Sequence, residues 1–278
     1  MTDAETRRIE IAASCRDADS IPKVALAGSI EVGTDGVTLQ IMHNGIKVLA
    51  DTYYHRFNTE IVTRLRGHHE PQEEKAFHEV LKRIRPGAVM IELGAYWGYY
   101  SLWFHKAIAR STNYLIEPVA ENLIVGQRNF RLNGFEGHFG RSLVGTEESL
   151  NGDPPIISVD GFIHREALKS IAILHADIQG HEYKMLVGAK NSLRERLFSF
   201  VFISSHGFRV HAQCLGFLRK YGYRIICEHT PSESFTVDGL IVATVDRGMG
   251  AVAISKRHAG VRGWVKSFVC RVVSHFPI

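Results

Sequence analysis

Four cysteines in 278 residues, Cys15, Cys214, Cys227 and Cys270, lie far apart and form no C-x-x-C pair. That spacing excludes a disulfide framework and a zinc–thiolate site, and reads as reduced thiols in a cytoplasmic protein. No stretch is apolar over the ~20 residues that a bilayer span needs. The polar, arginine-bearing N-terminus lacks an apolar run of signal-peptide length, so a soluble chain is expected. Charge of one sign is missing too: 33 basic and 29 acidic residues are spread along the chain, for a net +4. So diffuse a balance gives no nucleic-acid footprint. Fifteen histidines include no H-x-x-x-H or H-E-x-x-H arrangement, and no dedicated metal site is expected. Neither G-x-G-x-x-G nor G-K-[ST] occurs, which excludes the dinucleotide fingerprint and the phosphate loop.

What the chain does have is a core. Hydrophobic content of 45% and charged content of 22% fit a folded α/β domain. Residues 1 to about 22 are polar with weak helical periodicity, the pattern of a mobile or loosely docked arm. In "GVTLQIMHNGIKVLADTYY", alternating apolar residues flank Asn44-Gly45, a strong hairpin signal. "EIVTRLRGHHEPQEEKAFHEVLKRIRPGA" reads as two helices, with Pro71 at the first turn of the second. From Val89 onward strands alternate with helices. The strand-like runs are Val89–Leu93, Asn113–Ile116, Gly137–Leu143, Ile171–Ala176, Phe198–Ser204, Tyr223–Cys227 and Leu240–Val245. Helical patterns cover Val119–Leu132 and His181–Leu193. This alternation predicts an α/β fold with a mainly parallel seven-stranded sheet covered on both faces. Only "EHTPSESFTVDG" separates the last two strands, so an antiparallel hairpin is expected at the sheet's end. The expected organisation is an arm and hairpin extension (1–72), a core (73–256) and a basic amphipathic helix (257–278), in one compact body. The tail places Val261, Trp264, Val265, Phe268, Val269, Val272 and Val273 at helical spacing. Such a face docks on the body, on a second subunit or on a membrane surface.

The chemistry starts in "VMIELGAYWGYYSLWF", Val89 to Phe104. In an open parallel sheet, ligands bind beyond the carboxyl ends of the strands. Gly94 and Gly98 fall at such a turn, where they let the backbone bend and approach a ligand. Glu92 at the strand end either holds an amino group or orients the loop. Glu117 ends the next strand, where a carboxylate accepts both hydroxyls of a ribose. With tyrosines at 96 and 99, aromatic bulk hinders a pyrophosphate. An adenosine cofactor without phosphate remains, S-adenosyl-L-methionine, whose sulfonium suits aromatic and carboxylate surroundings.

"IELGAYWGYYSLWF", "LIEPVAENLIVGQRNFRLNG" and "IAILHADIQGHEYKMLVGA" resemble, in order, the successive motifs of the FkbM-type methyltransferases. The resemblance covers roughly Glu73 to Val245. It implies a Rossmann-like class I methyltransferase fold, S-adenosylmethionine as cofactor, and O-methylation of a hydroxyl on a small molecule or glycan, with no nucleic-acid substrate. The alternative is a binding module of the same fold without turnover. The resemblance implies cofactor contacts from Glu92, Gly94, Ala95, Tyr96, Gly98 and Asp177. Glu117 would hold the ribose with Asn122 in support, and Ser142 falls in the neighbourhood of the adenine. Gln179 departs from the pattern, standing where the family often has an acid.

A hydroxyl needs a base, and the candidates at strand ends are Asp177, Glu182 and His206. His206 has the best intrinsic pKa for the task at neutral pH, against the alternative of a histidine capping a strand end. Asp177 and Glu182 either bind substrate or fix the loop. "GHHEPQEE", Gly67 to Glu74, either lines the site's mouth, with Gln72 and Glu73 foremost, or is a solvated helix start. Tyr96, Trp97 and Tyr100 are expected to wall the methyl-transfer pocket. A homo-oligomer is compatible with all of this.

Overall fold

The computed structural model describes residues 2–33, 36–53 and 55–257. The polar N-terminal segment is not an arm. It is helix α1 (Asp3–Ser14), closed by a capping box in which Glu5 N–H donates to Thr2 Oγ1 (3.3 Å) and Thr2 N–H to Glu5 Oε2 (2.6 Å). Ile9 and Ala12 are buried against Ile61 and Leu65. The weak periodicity reflects a narrow apolar stripe, two residues wide, which is enough to dock a short helix on one neighbour.

Strands β1 (Ile30–Val32), β2 (Thr38–Ile41) and β3 (Lys47–Leu49) form a separate antiparallel sheet. The predicted hairpin is the β2–β3 pair, with Ile41 opposite Lys47. Met42 N–H donates to the Ile46 carbonyl at 2.7 Å, leaving His43-Asn44-Gly45 as the turn. Gly45 takes φ +82° there. Helices α2 (His55–Arg64) and α3 (Pro71–Leu81) follow, with Pro71 in the first turn of α3.

The central sheet is built from β4 (Val89–Leu93), β5 (Thr112–Ile116) and β6 (His138–Gly140), with α4 (Tyr99–Ala107) and α5 (Ala120–Leu132) between them. The run predicted as one strand over Gly137–Leu143 divides. β6 joins the main sheet, whereas β7 (Leu143–Val144) pairs with β8 (Ile156–Ile157) in a small sheet of its own. Then come α6 (Val159–Arg165), β9 (Ile171–Ala176), α7 (Glu182–Gly188), α8 (Lys190–Arg194), β10 (Phe198–Ser205), α9 (Phe208–Lys220), β11 (Arg224–His229) and β12 (Gly239–Thr244). The helix expected over His181–Leu193 is thus two, broken at Ala189.

Strand order is β11-β12-β10-β9-β4-β5-β6, seven strands as expected. β12 runs antiparallel to both neighbours, and the remaining registers between β4, β5, β6, β9 and β10 are parallel. The antiparallel strand is therefore second from the edge. Along β4 and β9 successive residues alternate between two cores: Met90 and Ile173 face one, Ile91, Leu93, Leu174 and Ala176 the other. Helices cover both faces, so the strands read as apolar runs. The tail helix expected over 257–278 lies outside the described residues beyond Arg257.

The extension is fastened to the core by side chains that pair backbone. Leu49 N–H donates to Asn129 Oδ1 (2.9 Å), Lys47 N–H to Asn133 Oδ1 (3.0 Å), and Asn133 Nδ2 donates to the Lys47 carbonyl (2.7 Å). Asn129 of α5 and Asn133 at its C-terminal cap thus satisfy an edge of β3 that a further strand would otherwise need to cover.

Candidate active site

Every parallel strand ends on the same side of the sheet, and the sequence-predicted residues gather along that edge. Between β4 and α4, three positions in five take left-handed backbone: Gly94 (φ +73°), Tyr96 (φ +42°) and Gly98 (φ +72°). At Gly94 glycine is obligatory on a second count, because a Cβ would overlap the Asp177 carbonyl. The loops after β4 and β9 pack backbone on backbone there. The turn is held to β5 by Gly94 and Ala95 N–H groups donating to the Ile116 carbonyl at 2.8 and 3.1 Å. Tyr96 stands in a left-handed position that ordinarily favours glycine, and it is pinned from both ends. Its N–H donates to Glu117 Oε2 (3.1 Å) and its hydroxyl to the Thr52 carbonyl of the extension (2.9 Å).

Glu117 is buried at the end of β5. Its Oε1 accepts from Val119 N–H (3.0 Å) and Asn122 Nδ2 (3.3 Å). Burial raises its pKa, against the lowering effect of those hydrogen bonds. Asn122 therefore helps to hold the Glu117 carboxylate in place. Glu92 is buried one strand away, where its Oε2 accepts from the Ser101 N–H in the first turn of α4 (3.0 Å). Burial raises its pKa as well. That contact makes Glu92 a brace for α4. Ser142 is buried two residues past β6, beside Gly140, whose carbonyl accepts from Glu117 N–H (3.1 Å).

Asp177, Glu182 and His206 come together. His206 Nδ1 lies 2.8 Å from Glu182 Oε1, which also accepts from Gly180 N–H (2.9 Å). His206 Nε2 faces Asp177 Oδ1 at 3.5 Å and Asp238 Oδ1 at 3.3 Å. Burial alone would lower the imidazole pKa. The bond to Glu182 and the charges of Asp238, Asp177 and Glu182 outweigh it and raise the pKa to about 9. Burial raises Asp177 well above its usual range and Asp238 to about 6, with His206 opposing both shifts. Gln179, the departure from the family pattern, sits at φ +52° and donates to Asp177 Oδ1 at 3.3 Å. At this position a neutral donor steadies the aspartate where an acid would repel it.

Asp238 is the residue that sequence reasoning missed. It sits in the connection before β12. Because β12 is antiparallel, its first residues meet the last residues of β10, with Gly239 opposite Ser205. The residue before Gly239 and the residue after Ser205 are consequently neighbours. No local pattern carries that signal, since it requires the direction of β12.

"GHHEPQEE" is not a solvated helix start. His68, His69, Gln72, Glu73 and Glu74 are all buried. Glu73 bridges two strands, with its Oε1 2.8 Å from His175 Nε2 and its Oε2 accepting from Ser204 Oγ (2.7 Å). Glu70 accepts from the Tyr100 hydroxyl (3.0 Å). Gln72 ties the connection before β12 to the segment after it, by accepting from Phe235 N–H (2.9 Å) and donating to the Ser255 carbonyl (2.7 Å). Glu70, Gln72, Glu73, Ser204, His229, Thr236 and Asp238 line a small polar pocket beside His206. Tyr100 borders this pocket through Glu70, whereas Trp97 is buried against Tyr53 of the extension, rings stacked at 4.4 Å.

A seven-stranded Rossmann-like sheet with its acids gathered at the strand ends is the class I methyltransferase arrangement. Residues 92–225 match the family model described as "Methyltransferase FkbM domain". No curated protein matches the chain. Among solved structures, the chain is similar to M. capricolum TrmK in complex with S-adenosyl-homocysteine: 16% identity, 67% of this chain and 71% of that one covered, TM-score 0.44. It is also similar to a precorrin-6y C5,15-methyltransferase from Geobacter metallireducens (12% identity, 61% and 87% covered, TM-score 0.42). An rRNA methylase from Streptococcus thermophilus is a third (10% identity, 62% and 95% covered, TM-score 0.43). No helix among the described residues is long and apolar enough to cross a membrane.

Proposed function

We propose that the protein is an S-adenosyl-L-methionine-dependent O-methyltransferase acting on a hydroxyl of a small molecule or glycan. The observation that carries this reading is the His206 imidazole at the sheet edge, with Nδ1 against Glu182 and Nε2 facing the strand ends. A carboxylate that holds one ring nitrogen leaves the other to exchange a proton with an acceptor. The residues fit the cofactor. Glu92, Glu117, Asp177, Glu182 and Asp238 are all acids, and Arg141, which follows β6, is engaged with the Pro118 carbonyl (3.2 Å) and Asp153. That donor set suits a sulfonium cation and repels a phosphate-bearing cofactor or a nucleic-acid backbone.

When bound, the cofactor supplies an electrophilic methyl group. Glu117 with Asn122 would hold the ribose, Gly94, Ala95, Tyr96 and Gly98 would bring backbone up to it, and Ser142 would lie near the adenine. The acceptor's hydroxyl would reach His206 beside the small polar pocket that Glu70, Asp238, Ser204 and Thr236 line. During methyl transfer to the acceptor, His206 Nε2 would take up the hydroxyl proton. Glu182 keeps the ring oriented, and Asp177 and Asp238 stabilise the imidazolium. Holding nucleophile and methyl in line contributes up to ~7–11 kcal/mol of the barrier reduction in favourable cases.

The test is incubation of the purified chain with isotopically labelled S-adenosylmethionine and fractionated glycan and metabolite extracts. Label on a hydroxyl oxygen of a glycan or small molecule supports the reading. Label on a ring nitrogen of nucleic acid, or on nitrogen or carbon of any acceptor, overturns it.

A further inference from the structure

Behind the His206 turn lies a hydroxyl–imidazole–carboxylate trio that the proton transfer above does not use. Ser205 ends β10, His211 stands in the first turn of α9, and Glu228 is near the end of β11. Ser205 Oγ lies 2.7 Å from His211 Nδ1, and His211 Nε2 lies 3.0 Å from Glu228 Oε1. Glu228 Oε2 in turn meets Lys256 Nζ at 3.3 Å. We propose that Ser205, His211 and Glu228 are positioning residues, which hold His206 and Asp238 face to face across the end of the sheet. Their effect on turnover rests on the reading of His206 as the base.

Three observations carry this. The first is connectivity. Ser205 pairs with Gly239 across the β10–β12 ladder, so one register sets the places of their neighbours, His206 and Asp238. A Cβ at Gly239 would lie 2.7 Å from Ser205 Oγ and 2.8 Å from His211 Nδ1. The hydroxyl and the ring are thus seated directly against the backbone that carries Asp238. The second is the turn itself. Gly207 takes φ +100°, and its carbonyl accepts from His211 N–H at 3.0 Å. His211 therefore grips the backbone on both sides of His206, by its ring at Ser205 and by its N–H at Gly207. The third is burial. Ser205 and His211 are closed off from solvent, so their part is to hold other groups in place.

The trio also has a direction. A carboxylate only accepts, so Glu228 takes the His211 Nε2–H, and a neutral ring then leaves Nδ1 to accept from the Ser205 hydroxyl. Each group meets a partner on either side, which fixes its orientation. The end of β10 is clamped from its other face as well, where Ser204 Oγ donates to Glu73 Oε2 at 2.7 Å. With both faces held, the residue after Ser205 has little freedom, and His206 Nε2 keeps its 3.3 Å separation from Asp238 Oδ1. The other carboxylates that face His206 are Glu182 of α7 and Asp177 after β9, and both come from elements outside the trio. Losing the trio therefore loosens Asp238 and leaves those two in place.

The test follows the His206 titration by NMR in the full chain labelled at histidine, with the resonance assigned by its loss in His206→Gln. In the unsubstituted protein the midpoint is expected at about 9. Ser205→Ala should lower it by about half a pH unit or more, as Asp238 moves off the ring. In the same variant kcat should fall about tenfold, while the calorimetric Kd for S-adenosylmethionine stays within a few-fold. Glu228→Ala, at the half-buried outer end, should act in the same direction and serves if Ser205→Ala does not fold. Glu228→Gln keeps an acceptor for the Nε2–H and should restore most of both effects. A merely structural trio would lower the melting temperature and leave the midpoint alone. An unchanged midpoint in Ser205→Ala and Glu228→Ala therefore overturns the proposal. So does an equal loss in Glu228→Gln and Glu228→Ala, because charge and not the hydrogen bond would then be acting. A lowered midpoint in a protein that methylates no hydroxyl would sink the proposed reaction and leave the positioning role standing.

Discussion

His206 joins a short strand-end motif to a rate. Its raised pKa means the ring is mostly charged at neutral pH and must lose its proton before it can accept one. Turnover should therefore climb roughly tenfold per pH unit above neutrality and level off near pH 9. A kcat profile that is flat between pH 7 and 9 would assign the base to another group. His206→Gln should cut kcat by about 10²–10⁴-fold while leaving cofactor affinity within a few-fold, as judged by calorimetry against single-turnover rates. Glu117→Ala makes the opposite split. It removes the proposed ribose acceptor and also the anchor of the Tyr96 N–H, so the calorimetric Kd should rise at least tenfold. The strand-end acids were legible from their positions alone, and so was His206. Asp238 was not, because its neighbour across the sheet is fixed by the antiparallel direction of β12.

Among the elements, α5 does more than cover the sheet. Asn129 on its buried face accepts from Leu49 N–H in β3 and donates to the Trp97 carbonyl (3.0 Å) in the loop between β4 and α4. One side chain thereby couples extension, helix and loop. Asn129→Ala leaves two backbone groups without partners, at roughly 1–3 kcal/mol each if they stay dry. A drop in melting temperature of at least several degrees should follow, accompanied by weaker cofactor binding. Loss of stability with unchanged affinity would mean that the loop holds its shape without this support. The β4, β9 and β10 runs were legible to within a residue because an apolar run buried on both faces needs no partner to be recognised. The β6–β7 division, the short α6 and the break at Ala189 were not, since each depends on which neighbour the chain meets. Gly188 packs so closely on the Gly145 carbonyl that a Cβ would overlap it. Docking of α1 was equally hidden, for Ile9 and Ala12 become a core only when Ile61 and Leu65 arrive from α2.

For the molecule as a whole, the strand-end charges tie stability to pH. The folded pKa of His206, about 9, lies above the ordinary 6.5. Its contribution is therefore full below about pH 6.5 and is lost as pH rises through about 9, because the folded state binds the proton more tightly than the unfolded chain. Urea denaturation between pH 7 and 10 should show stability falling, and His206→Gln should flatten that fall. An unchanged slope in the variant would place the linked proton on another group. The same cluster joins β9, β10 and β12 through a single imidazole, so protonation of the site and cohesion of the sheet's far half are one equilibrium.

From the order of its residues alone, the chain specified an alternating α/β core, the turn that replaces a glycine loop by "GAYWG", and the acids at the strand ends. These are local consequences of periodicity, backbone freedom and position. Tertiary structure alone decided that "GHHEPQEE" is buried and lines the small polar pocket, that Asp238 faces His206, and that His43 meets His68 and Glu74. Each of these depends on segments far apart in sequence being brought within a few ångströms. Only the packing of the extension on α3 and α4, and the reversed direction of β12, sets that proximity.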